Sequence, residues 1–320
     1  MLAVPALLLS LTGCASVFSS YPVQADKWMV SYQNGQTEAL LTDLTPKMSE
    51  QDGLLYSLEV GRFAQMGGQS ETSKQAFENA FLFFEKEDDQ ARVSAGGAVS
   101  GTGAMLTNDN ARPYSGRDYE RIFAHSFQAL NYLKLRDAEG AAVELRRANL
   151  EQTVAAQRRE KELAKAEEEA AKGEVDVSQH EGSFAGLNEA AGRVKSSFQN
   201  AYTFYLSAVF WEAVRDYNAA LVDLKRAYEI NPDALFIEED IRRLQRRMGD
   251  RRIEARVPGP EEGSLVVLFE QGRVPPKREI SLPIPTIHGA FAVAFPTYDP
   301  ADISAAVPLT VADTEGNGVL

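Results

Sequence analysis

Tyr202 to Pro232, YTFYLSAVFWEAVRDYNAALVDLKRAYEINP, is the stretch from which the fold can be read. Apolar and aromatic residues recur every three or four positions from Tyr202 through Trp211, the period of one helix face. Arg215-Asp216-Tyr217 interrupts the run with a turn, and a second amphipathic run goes from Ala219 to Tyr228. Pro232 cannot donate the next helical hydrogen bond and disfavours helix at Asn231, so the second helix stops there. The stretch is one helical hairpin.

The order of small and large residues within the hairpin says more than its helicity. Ala208, Trp211, Ala220, Leu224, Ala227 and Pro232 are spaced as in a tetratricopeptide repeat, which this stretch resembles. In that repeat small residues let paired helices approach, and large ones fill the gap to the next hairpin. A lone hairpin cannot bury both faces, so further copies are required. Ala129, Tyr132, Ala141, Leu145 and Ala148 repeat the spacing, with Arg136-Asp137 at the turn. Gly61, Ala64, Ser73, Phe77 and Ala80 repeat it less closely, with Gly67-Gly68 at the turn. Ala80 to Ala148 is two periods of about 34 residues, and Ala148 to Ala227 is one period plus an insertion of about 45.

The expected fold is mainly α, a tetratricopeptide-like helical array (an α-solenoid) over 27–249 with a charged insertion at 151–195. Trp28 to Leu44 reads as its first helix, closed by Thr45-Pro46. Gln157 to Lys172, QRREKELAKAEEEAAK, is almost wholly charged residues and alanine. It should carry the preceding helix into solvent, supported by opposite charges four residues apart. Gly173 to Gly192 reads as a loop. The glycine-rich run from Val93 to Gly103 lacks the Lys-Ser/Thr ending and preceding strand of a phosphate loop, so close packing or a loop is the expectation.

Both ends differ from the array. Leu2 to Leu11 is apolar but too short to span a bilayer, which takes about 20 residues, and small residues follow it, a secretory signal pattern. It runs into Leu11-Thr12-Gly13-Cys14, and Cys14 is the single cysteine of the chain. This resembles the lipobox of bacterial lipoproteins, which implies a signal peptide over 1–13, lipid attachment at Cys14 and a tether over 14–26. Ala15 in the position after the cysteine implies the outer membrane. At the other end, nine of the fourteen prolines fall between Pro258 and Pro308. The segment 250–320 should be proline-rich with short β-strands: Ser264–Phe269 as a buried strand, Gly289–Phe295 as another, and proline-broken extended pieces between them.

Composition narrows the function. At 320 residues and 44% hydrophobic the chain can bury a sizeable core, and its net charge of −13 argues against a grip on nucleic acid. His125, His180 and His288 lie far apart, without metal-ligand spacing, and no nucleophile motif is present. No catalytic residue, metal or cofactor is expected. The groove of such an array is lined by first helices, which places Arg62, Leu130, Lys134, Tyr202 and Tyr205 there for partner capture. The bland alternative is that Tyr202 and Tyr205 pack on a neighbouring helix.

Tyr114 to Arg121 (YSGRDYER), Ala129 to Leu133 (ALNYL) and Ala142 to Asn149 (AVELRRAN) are similar to an uncharacterised family of bacterial lipoproteins with tetratricopeptide repeats. Leu265 to Phe269, Gly272, Pro276-Lys277 and Ala294-Phe295-Pro296 are similar to that family's C-terminal segment, beyond which it usually runs on. The resemblance implies a periplasm-facing outer-membrane scaffold whose partners are other cell-envelope proteins, among them a neighbouring small lipoprotein. Two other readings stand beside it: an envelope enzyme or regulator of cell-wall synthesis acting through the C-terminal segment, and a cytosolic repeat adapter with no processing at Cys14.

Overall fold

The structure is a computed structural model that describes residues 20–96, 113–172, 199–272, 274, 277–286 and 289–298. Cys14, the signal and lipobox readings, His180, His288, Gly173–Gly192 and most of the glycine-rich run lie outside the described residues. The described part is mainly helical: α1 (Tyr21–Gln33), α2 (Thr37–Leu44), α3 (Gly53–Met66), α4 (Ser70–Gly96), α5 (Asp118–Lys134), α6 (Ala138–Lys172), α7 (Ala201–Ala213), α8 (Tyr217–Ile230) and α9 (Leu235–Arg247). Consecutive helices pair as hairpins, α3 with α4, α5 with α6 and α7 with α8. The hairpins stack through α4 on α5 and α6 on α7, and α9 closes against α8.

Small residues bring the paired helices together. Ala129, Ala141, Ala148, Ala208, Ala220 and Ala227 are all buried, and so are Ala64 and Ala80. A Cβ on Gly61 would come 2.8 Å from the Phe77 ring, which explains a glycine there. Ser73, standing where the other copies carry alanine, donates to the Gly61 carbonyl at 2.7 Å and ties α3 to α4.

One turn geometry recurs five times. Gly35, Gly68, Arg136, Arg215 and Gly249 each adopt positive φ. Each donates to the carbonyl three residues back, and the residue after it reaches five residues back, from Gln36 to Ser31, Gln69 to Ala64, Asp137 to Tyr132, Asp216 to Trp211 and Asp250 to Gln245. This double closure satisfies the carbonyls at a helix end. Asp137 and Asp216 also cap the following helices, accepting from Gly140 N at 2.8 Å and Ala219 N at 3.1 Å. Gly35 to Gly68 and Arg215 to Gly249 are each about one 34-residue period apart.

The expectation of one helix over Trp28–Leu44 is therefore corrected. Asn34-Gly35 ends α1, α2 packs back on it, and a short 3-10 turn follows at Thr45–Ser49. Trp28 is buried at the position where later hairpins carry glycine or alanine, and this hid the hairpin from the spacing test. The expected tether over 14–26 is shortened as well, because α1 already begins at Tyr21, with Pro22 in its first turn, where a missing N–H is harmless. Beyond Asp137, α6 continues through the charged run to Lys172.

The C-terminal segment differs from its expected form in two ways. Leu265–Phe269 forms neither helix nor strand and has no strand partner among the described residues, and Leu265 is 79% exposed. Lys277–Thr286, expected as broken pieces, is one continuous strand, β1, paired antiparallel with β2 (Gly289–Tyr298). Pro283 and Pro285 fall on alternate residues, so both can face the unpaired side of β1 and cost no ladder bond.

Candidate functional site

The first helices of successive hairpins place residues of equal register side by side along one face. Tyr202 of α7 and Phe123 of α5 hold equivalent positions in their hairpins, and their rings lie 6.2 Å apart. Phe123 stacks on Phe127 at 5.5 Å, and the Arg62 guanidinium of α3 sits 4.1 Å above the Phe127 ring. At the other end Tyr205 meets Phe236 of α9 edge-on at 5.3 Å. A ribbon of Arg62, Phe127, Phe123, Tyr202, Tyr205 and Phe236 thus spans four helices. Aromatics and arginine are the side chains that most often anchor bound peptides, because they give large contact area for little lost side-chain freedom.

Each polar group on the ribbon is held. Arg62 Nη1 donates to Gln65 Oε1 at 2.7 Å, which aims its other nitrogen outward. Tyr205 donates to Asp240 Oδ2 at 2.9 Å. Asp240 in turn accepts from Arg243, which also forks onto Glu212 at 2.5 and 2.8 Å. That arginine holds the Glu212 carboxyl below its usual range by hydrogen bonding, against the opposing effect of burial.

The ribbon is already covered. Residues 264–271, a strap of neither helix nor strand from the C-terminal segment, cross α7 and reach α3. Glu270 pairs with Arg62 Nη2 and accepts from the Tyr202 hydroxyl at 3.4 Å. Leu268 packs on the apolar cluster of α7 to α9. Between strap, α7 and α9 lies a cavity of about 910 Å³, walled by Tyr202, Tyr205, Phe236, Ile237, Asp240 and Arg243. Burial, with the Glu270 carboxylate beside it, pushes the Tyr202 hydroxyl up to about 12, so it stays a proton donor at neutral pH.

Of the five residues expected in the groove, Arg62 and Tyr202 meet on Glu270, and Tyr205 lines the cavity. Leu130 instead leans on the apolar cluster beneath α7. Lys134 is exposed at the last turn of α5 and is no part of the ribbon. The bland reading of the two tyrosines is half right, since each also touches a neighbouring aromatic ring. Phe123, Phe127 and Phe236 went unnoticed, although Phe123 could have been found by carrying the position of Tyr202 back one copy. Glu270 had no such signal.

Among the described residues no group of histidines, cysteines and carboxylates could hold a metal ion. His125 is buried, stacked 4.2 Å from Phe81 with Nδ1 2.6 Å from Glu144 Oε2, on the opposite side of α5 from the ribbon. No helix among the described residues is long and apolar enough to cross a membrane. Compared with known proteins, the chain matches no protein-family model and no curated sequence.

Proposed function

We propose that this protein is a non-enzymatic scaffold of the tetratricopeptide class, an α-solenoid with a β-containing C-terminal segment, whose concave face binds protein partners. The observation that carries this reading is the seating of a non-helical stretch, the chain's own strap, across Arg62, Tyr202 and Leu268's apolar bed. A surface able to hold one such segment through an ion pair, a hydroxyl and an apolar contact has the chemistry to hold another.

The proposal places the array at the cell envelope, anchored through a lipid on Cys14 and facing the periplasm of a bacterial outer membrane. The LTGC stretch before an array that itself needs no membrane supports it. Two experiments test the two halves separately. Labelling cells with a fatty-acid precursor should mark the wild-type chain and not Cys14→Ala; an unlabelled wild type refutes the anchor. A photoreactive amino acid at Tyr205 should crosslink a defined envelope protein in intact cells, whereas one at Arg159, on the outlying part of α6, should not. Equal capture at both positions refutes the groove.

A further inference from the structure

The strap that fills the groove has the features of an exchangeable occupant. Leu268 is the least exposed of its apolar residues, while Leu265, Val266, Val267 and Phe269 remain 79%, 38%, 46% and 54% exposed. Leu268 packs on the apolar cluster, and Glu270 meets Arg62 and Tyr202. No backbone hydrogen bond joins residues 264–271 to a helix among the described residues. The receptor side, by contrast, is shaped without the strap, since Arg62 is fixed by Phe127 and Gln65, and Tyr202 by Phe123.

Resting on the reading of this face as a peptide-binding groove, the geometry points to its ligand class. The groove takes a peptide with an apolar side chain and a carboxylate two residues further on, and Leu268 and Glu270 are the internal competitor for it. In an extended peptide a spacing of two turns both side chains to the same face. The carboxylate is required because Arg62 and Tyr202 both present donors at that one point, and a guanidinium pairs best with a planar oxyanion. The chain as a whole carries −13, so long-range attraction does not deliver an acidic peptide; recognition is local to Arg62. A tethered strap competes at the millimolar effective concentration of a short linker, so an equivalent free peptide is held off until the strap is loosened.

The test uses the full chain and a fluorescent peptide of sequence SLVVLFEQ, residues 264–271, carrying solubilising lysines at its label. Binding is measured by anisotropy to wild type, to the strap-loosened Leu268→Ser/Glu270→Ala chain, and to that chain with Arg62→Ala added. The loosened chain should bind at least about tenfold more tightly than wild type. Arg62→Ala, or a peptide with lysine in place of its glutamate, should remove most of that gain. Equal binding by wild type and loosened chain, or indifference to the peptide's glutamate, overturns the proposal. Limited proteolysis provides a second readout that needs no ligand: Glu270→Ala should speed cleavage within residues 264–271 and leave α7 and α8 intact, and unchanged cleavage of the strap overturns it too. A wild-type dimer that dissolves on Glu270→Ala would assign the groove to the strap of a second copy, also against the proposal. Capture of an envelope protein at Tyr205 whose bound segment lacks the apolar and acidic pattern would leave the scaffold function standing and refute this ligand class alone.

Discussion

Two junctions hold the three central hairpins in a row, and they differ in how much of the contact is polar. Between α3/α4 and α5 an apolar cluster that includes Leu54, Phe77, Phe81, Phe84 and Ala124 is joined by a belt of amides. Gln65 Nε2 donates to the Phe127 carbonyl at 2.7 Å and to Asn131 Oδ1 at 2.9 Å. Asn131 Nδ2 donates to Ser73 Oγ at 2.7 Å, and Gln128 Nε2 to the Lys74 carbonyl at 3.1 Å. Gln128, Asn131 and Ser73 are all buried. From α5/α6 to α7, α8 and α9 the contact is one apolar cluster running from Ala129 and Leu145 through Phe204, Leu224 and Leu244, with a small polar group of Asn149, Ser207 and Asp223 inside it. Apolar burial scales with area and is indifferent to small slips, whereas an amide belt has one register in which every donor is met. The first junction sets where Arg62 stands relative to Tyr202. The second supplies the stability of the platform on which the strap lies.

The sharpest break of this comparison is Phe204→Ala in the apolar junction. Phe204 is fully buried, and its loss should cost about 3–5 kcal/mol and melt α7 to α9 together in chemical denaturation. A cost below about 1 kcal/mol would show that the cluster does not carry this half of the array. Next in size is Asn131→Ala in the amide belt, which strands donors and acceptors on Gln65, Gln128 and Ser73. It should cost about 1–3 kcal/mol. Because the belt fixes register, it should also weaken the Arg62 to Glu270 contact, visible as faster proteolytic cleavage of the strap, an effect Phe204→Ala at matched stability should not share until α7 itself opens.

The turns offer a smaller and opposite test. Arg136 and Arg215 occupy left-handed positions that Gly35, Gly68 and Gly249 fill elsewhere. An L side chain there costs about 1–2 kcal/mol, part of which glycine gives back as unfolded-chain entropy. Arg215→Gly should therefore stabilise the chain by about 0.5 kcal/mol in urea unfolding; destabilisation would mean that the arginine side chain makes a contact worth more than the strain. The smallest effect is on the acid limb of stability. Arg243 lowers the Glu212 pKa relative to the unfolded chain, so the stabilisation is present above the unfolded carboxylate pKa and lost as pH falls through the folded one. The melting temperature of Glu212→Gln should accordingly fall less steeply than that of wild type between about pH 5 and 3.

What could be read from the amino-acid order was the part governed by local spacing. Ala129, Ala141 and Ala148, and Ala208, Ala220 and Ala227, sit buried where the pattern of small residues puts them. The pattern failed at the edges of the array, where selection on packing relaxes. Trp28 fills with one large side chain the gap that alanine leaves elsewhere, so the first hairpin reads as a single helix. α9 ends at the Gly249 turn with no second helix paired to it among the described residues, so the hairpin spacing has nothing to match there. The strap was illegible for a different reason. Glu270 and Arg62 are 208 residues apart in the chain, and no periodicity links a side chain to a partner chosen by the stacking of six intervening helices. The run SLVVLF gives the same signal for a buried strand and for an extended segment laid on helices, and only the missing neighbour strand tells them apart.

The turn that ends α9 has a use in construction. Its left-handed Gly249 and its bond from Asp250 back to Gln245 are those that, four times earlier, hand the chain from a first helix to a second. Asp250 therefore marks a coupling point. A second helix spliced in after it would meet a carbonyl end already closed in the right geometry and an apolar flank in Leu235 and Met248, both still exposed. Such a graft would lengthen the helical array by one unit while lifting the strap off Arg62, turning a structural detail of the last helix into a handle on whether the groove is open.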